Sequence, residues 1–140
     1  MKYFGYLFSV LLFISLFVTN THTFAQSEPV LYFCERYDDD DGEVGVSDRF
    51  TTGYITVMAK CDYAMRLDDV SIQYDKYNER TGDFEYYKKF DFEVDRDMKY
   101  IFFERNDSSD MEFEDPGFYR VFLLDEDGKT VASALVEIID

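Results

Sequence analysis

Asp115-Pro-Gly-Phe-Tyr-Arg-Val-Phe-Leu-Leu-Asp-Glu-Asp-Gly-Lys-Thr-Val-Ala-Ser-Ala-Leu-Val-Glu-Ile-Ile-Asp140 closes the chain, and its pattern decides the fold. Two apolar runs, 118–124 and 130–139, flank the polar turn 125–129. Runs of this length around a short Asp- and Gly-bearing turn predict a β-hairpin, with Gly128 supplying a positive φ.

Upstream of this hairpin, alternation recurs at strand spacing. Residues 30–36 and 54–61 form two candidate strands, the second with Ile55, Val57 and Ala59 on one face. In 70–77, Val70, Ile72 and Tyr74 alternate with Ser71, Gln73 and Asp75. In 84–94, Phe84, Tyr86, Phe90, Phe92 and Val94 fall on one side, and Lys88 interrupts them. A snorkelling stem or a bulge that resets the register would account for that lysine. Residues 99–104 add a short, almost wholly apolar strand. No window of ten or more residues shows helical periodicity of comparable strength. About seven short strands separated by Gly, Asp and Asn turns predict one all-β antiparallel sandwich, with no repeat or linker to split off a second domain.

The run-in to the hairpin, Asp115-x-Gly117-x-Tyr119-x-Val121, resembles the Asp-x-Gly-x-Tyr-x-Cys corner of immunoglobulin-like β-sandwiches. The resemblance implies that Tyr119 is a structural corner whose hydroxyl bonds the upstream backbone. Val121 stands where antibody domains place a cysteine, so the inter-sheet disulfide of that family is absent. The chain has no Trp, and Tyr74 or Ile72 must fill the place of the buried tryptophan. What remains is a generic immunoglobulin- or fibronectin-like sandwich.

Residues 1–25 have the pattern of a secretory signal peptide. Lys2 gives the positive start, 4–18 carry no charge, and Thr23-Phe24-Ala25 offers small residues at −3 and −1 before Gln26. The apolar run is short for a bilayer span of roughly 20 residues, so no membrane span is expected after processing. Residues 26–140 are then the sandwich domain, secreted or periplasmic, and long enough for one core. Processing removes His22, the only histidine, and Lys2, which takes the net charge from −16 to −17. A chain this acidic repels nucleic acid phosphates and favours cationic partners or cations.

Catalysis has little support in these residues. Ser-His and Cys-His chemistry need an imidazole base, and none survives processing. The expected function is non-catalytic binding of a protein or glycan outside the cytoplasm. A calcium-stabilised structural or adhesive module, or an acidic inhibitor of a cationic secreted enzyme, are the alternatives. No cofactor is required, although Ca²⁺ suits the acidic loops. Asp39 and Asp41 sit at EF-hand-like spacing, but Tyr37 occupies the first ligand position and Asp48 the twelfth, so the motif fails as an EF-hand. An up-and-down strand count would gather Asp39, Asp41, Glu43, Asp107 and Asp110 at one end, where a hard cation could bridge them. Cys34 and Cys61 either form a disulfide, worth about 3 kcal/mol across this loop, or act as two buried thiols. A hairpin centred near Val44 places Cys34 opposite Ile55, short of Cys61.

The final hairpin carries one more expectation, from parity. If Tyr119, Val121 and Leu123 face inward, Phe118, Arg120, Phe122 and Leu124 face outward. On the next strand Ala132, Ala134, Val136 and Ile138 pack inward, which places Val131 and Leu135 in the same outer patch. Apolar residues on the solvent side of a sandwich strand imply either a covering loop or a partner-binding surface.

Overall fold

The computed structural model describes residues 28–106 and 109–140, all of them strand, turn or irregular. The strands in chain order are β1 (Val30–Cys34), β2 (Arg36–Asp38), β3 (Gly42–Val44), β4 (Arg49–Thr51), β5 (Gly53–Tyr54) and β6 (Thr56–Lys60). They continue with β7 (Asp69–Asn78), β8 (Asp83–Glu93), β9 (Tyr100–Phe103), β10 (Glu112–Phe113), β11 (Gly117–Leu124) and β12 (Thr130–Ile139). Seven of these, β1, β6, β7, β8, β9, β11 and β12, have four or more residues and correspond to the segments with apolar periodicity.

Two sheets face each other. One has the order β1-β6-β9 and the other β4-β12-β11-β7-β8, while β2-β3 and β5-β10 make small ladders at the periphery. Every pairing is antiparallel except β4 with β12, which is parallel. The core is filled by the inward alternates: Leu31, Phe33, Val57, Ala59, Ile101 and Phe103 from the small sheet meet Val70, Ile72, Tyr74, Tyr119, Val121 and Leu123 from the large one. Each such fully buried side chain contributes roughly 1.5–3 kcal/mol. The exposed ion pairs contribute at most about 1 kcal/mol each, so the aromatic-rich core holds the fold.

Met111 and Phe113, from the segment between β9 and β11, plug one end of this core. Phe113 stacks on Tyr74 at 4.5 Å and meets Tyr119 edge-on at 4.9 Å. Tyr74 is one of the largest fully buried side chains of the core. The final turn closes as its composition demands, with Gly128 at φ 75° and Asp125 Oδ1 accepting from the amides of Asp127 and Lys129.

Two expectations need correction, and both trace to bulges. The register between β7 and β8 shifts after Tyr74, and Tyr87 is the extra residue. Phe90 and Phe92 then lie opposite Ile72 and Val70 on the inner face, whereas Phe84 and Tyr86 lie opposite Tyr77 and Asp75 on the outer one. The run 84–94 is thus not a single face. Lys88 does both things the sequence suggests: it follows the bulge, and its ammonium reaches the Glu112 carbonyl and the Glu114 carboxylate, each at 3.3 Å. A second shift falls between Leu123 and Leu124. Val131 is the unpaired residue and packs against the core, whereas Leu124, opposite Ser71 on the outer side, is only 8% exposed, so neither offers exposed apolar surface.

Candidate functional site

The corner expected from 115–121 is present. Tyr119 is fully buried, and its hydroxyl donates to the Asp115 carbonyl at 2.7 Å. Gly117 in the same corner adopts φ 144°, and a Cβ there would stand 3.3 Å from the Lys76 side chain. Both facts explain why a glycine precedes the tyrosine by two. Burial raises the Tyr119 phenol to about 12, helped by the nearby Asp115 and Glu114 charges.

Beyond this corner, β11 presents its other face. Phe118 is 52% exposed and Leu135, on β12 opposite Arg120, is 58% exposed. Tyr86 on β8 adds a third exposed large side chain on this side, at 66%. Between them lies a partly buried cluster. The Arg120 guanidinium sits 4.8 Å from the ring centres of both Phe84 and Phe122. Its Nη2 donates to Asp75 Oδ2 at 3.4 Å, directly across the β11–β7 ladder. Asp75 is itself buried and accepts a second bond from Gln73 Nε2 at 2.8 Å. Arg120 is thus tied into the sheet surface, yet its buried Nε has no partner among the described residues. Phe122 is half-buried beneath it.

Of the expected patch, then, Phe118, Arg120, Phe122 and Leu135 share the outer face with a buried Leu124, whereas Val131 packs against the core. Tyr86 and Phe84 are additions that sequence parity assigned to the wrong side. Only a recognised bulge at Tyr87 would have placed them. Arg49 and Glu137 pair at 3.0 Å, as do Lys89 and Asp91 at 3.6 Å, on this same sheet.

The opposite surface of the sandwich is covered. There the β2-β3 hairpin folds over the small sheet, stacking Tyr37 on Phe102 at 4.3 Å. The Glu43 carboxylate accepts from the hydroxyls of both Tyr32 and Tyr100. These two bonds hold Glu43 below the usual carboxylate range, and burial together with that carboxylate pushes both phenols well up. Met58 and Cys34 are fully buried beneath. No described element covers the outer face of the five-stranded sheet in this way.

The acidic positions are not brought together. Asp39 and Asp41 occupy the exposed β2-β3 turn, where Asp38 Oδ1 accepts the Asp40 and Asp41 amides. Glu43 is engaged with the two tyrosines, and Asp110 accepts from Tyr54 at 3.1 Å. Asp107 lies outside the described residues, as does the segment assigned to the signal peptide. Among the described residues no three carboxylate, thiol or imidazole groups converge as a metal site would require.

Cys34 and Cys61 are both buried and are not joined in a disulfide. Cys34 lies opposite Thr56 on the β1–β6 ladder, and Cys61 follows Lys60, the partner of Val30 at the far end. The thiols are therefore separated by most of a strand. Burial, then the charges of Glu43 and Glu104, raise the Cys34 thiol.

A β1-β6-β9 sheet packed on a sheet containing β12-β11-β7, with a tyrosine corner at the start of β11, defines an immunoglobulin-like sandwich. In that scheme β11 is the strand that carries the corner, and β8 is an added edge strand beside β7. No protein-family model and no curated protein matches the chain. Among solved structures it is similar to an immunoglobulin-like protein of Pseudomonas aeruginosa, with a TM-score of 0.45 and 8% identity, covering 82% of this chain and 99% of that one.

Proposed function

We propose that the chain is exported, loses residues 1–25, and acts without catalysis by holding a protein partner against the outer face of its five-stranded sheet. The observation that carries this reading is the pair Phe118 and Leu135, both more than half exposed, on a sheet face that no described element covers. Exposed aliphatic and aromatic side chains around a half-buried Arg–Phe cluster have the composition of an interface core. A protein surface suits this patch better than a saccharide, because its most exposed members, Phe118 and Leu135, offer no hydrogen-bonding group, and both Asp75 carboxylate oxygens already accept, from Gln73 and Arg120. The chain's excess of acid over base favours a basic partner, steered in by charge and held by apolar burial.

A photo-reactive cross-linker at position 135 tests the reading, with one at exposed Val46 as control. In the native extracytoplasmic fraction, position 135 should cross-link a basic protein and position 46 should not. Equal labelling from both positions, or none from 135, removes the proposal. Persistence of the cross-link at high salt would mark apolar burial as the main attraction, and its loss would mark charge.

A further inference from the structure

The smaller sheet stops one strand early. Immunoglobulin constant-type sandwiches have a four-stranded sheet of order A-B-E-D. Here the order β1-β6-β9 corresponds to A-B-E, and among the described residues β9 pairs with β6 alone. The connection explains the shortfall. β8 ends at Glu93 and β9 begins at Tyr100, and the residues between fold into a turn tied by Met98 N–H to the Asp95 carbonyl at 3.0 Å. The amides of Met65 and Arg66 bind the carbonyls of Met98 and Arg96 and hold that turn away from the β9 edge.

Bare edges are normally blunted by lysines, prolines or bulges. The other long edge of the molecule, β8, has such protection: Lys88, Lys89 and the bulge at Tyr87. Tyr100-Ile-Phe-Phe103 has none of these. Beside it runs a groove of about 470 Å³ between the two sheets. Phe92, Val94, Ile101 and Phe103 line it, with Met98 (38% exposed) and Phe102 (43%) also bordering it. Phe92 meets Phe103 edge-on at 5.1 Å, which leaves the groove aromatic where the sheets part. The charged residues bordering it are Glu93 and Asp95, both acidic.

We propose that this edge receives an extended segment of a partner protein as a fourth strand. The backbone groups of β9 that face away from β6 complete a ladder with the segment, alternate apolar side chains of the segment enter the groove, and terminal Lys or Arg residues meet Glu93 and Asp95. The segment is therefore a basic-flanked strand of about five residues with apolar residues at every second position. This site lies on the smaller sheet and stands independently of the outer-face reading; either can fail without the other.

The test uses the processed, isotope-labelled protein and three synthetic probes. They are the peptide Lys-Val-Thr-Val-Thr-Val-Lys, the same peptide with Glu at both ends, and the lysine peptide with Pro at its central Val. The lysine peptide should shift the amide resonances of residues 100–103 and slow their hydrogen exchange at least about tenfold. The glutamate peptide should bind about tenfold more weakly or worse, and the proline peptide should not bind. Met98→Ser, which removes apolar contact without changing the charge, should weaken the lysine peptide by about tenfold while leaving the melting temperature unchanged. The proposal is overturned if none of the peptides affects residues 100–103, if the proline peptide binds as well as its parent, or if the edge amides are already protected by self-association without peptide.

Discussion

Two fully buried tyrosines on neighbouring strands make opposite predictions for the same chemical change. The Tyr119 hydroxyl donates to the Asp115 carbonyl at 2.7 Å, whereas the Tyr74 hydroxyl, equally buried, finds no partner among the described residues. Removing the first hydroxyl deletes a net-favourable bond of about 1 kcal/mol. Asp115 is exposed, so its carbonyl can take a water instead, and the loss should not grow to the roughly 2–3 kcal/mol of an orphaned buried acceptor. Removing the second deletes only a desolvation cost, so Tyr74→Phe should be neutral or stabilising by up to about 1 kcal/mol. Its ring stacking on Phe113 survives the change. The two variants should therefore differ by about 1–2 kcal/mol, or about 4–10 °C in Tm for a domain of this size. Urea unfolding followed by circular dichroism resolves that difference, and tyrosine absorbance gives a second probe because the chain has no tryptophan. Equal stabilities for the two variants would refute the reasoning. So would a Tyr74→Phe protein as damaged as Tyr119→Phe.

Stability should fall as pH rises through about 10, because burial holds the phenols of Tyr32, Tyr74, Tyr87, Tyr100 and Tyr119 above the ordinary tyrosine range in the folded state. The folded chain then holds more protons than the unfolded one, so the tyrosine contribution is complete below pH 10 and is lost above it; a urea midpoint unchanged between pH 9 and 11.5 would contradict this. Phe122→Ser should cost about 1–3 kcal/mol by thermal melting, since the ring is half-buried and flanks Arg120, and a cost near zero would mean that the cluster does not stiffen the sheet. Ca²⁺ and Mg²⁺ at matched ionic strength should raise Tm equally and slightly by screening, while a calcium-specific rise would restore a cation site.

The features the sequence made legible are those that depend on neighbours within a few positions. The final hairpin and its Gly128 turn, the Tyr119 corner, and the burial of Val70, Ile72 and Tyr74 all follow from local spacing. The Cys34 register was predicted within one residue, Ile55 against the observed Thr56. The errors arise where period-2 counting meets an inserted residue. A bulge at Tyr87, one of the two readings that Lys88 allowed, sends Phe84 and Tyr86 outward, and the shift after Leu123 leaves Val131 unpaired against the core with no residue type to announce it. The acidic run 38–43 hid a hairpin because β2 and β3 are three residues each, too short to show alternation. Its Glu43 is bound by tyrosines distant in sequence, a contact that only the folded sheet creates. The parallel pairing of β4 with β12 is likewise a long-range event with no local signature.

The central claim is that the outer face of the five-stranded sheet is a binding surface and not a covered core. Phe118 and Leu135 are its clean probes, because both are more than half exposed and neither props up the Arg120 cluster. The decisive measurement pairs thermal melting with partner capture for the double variant Phe118→Ser/Leu135→Ser. The account predicts a Tm within about 3 °C of the parent, as surface changes usually give, together with loss of the basic protein cross-linked from that face. Capture at the parental level by a fully folded double variant would contradict it.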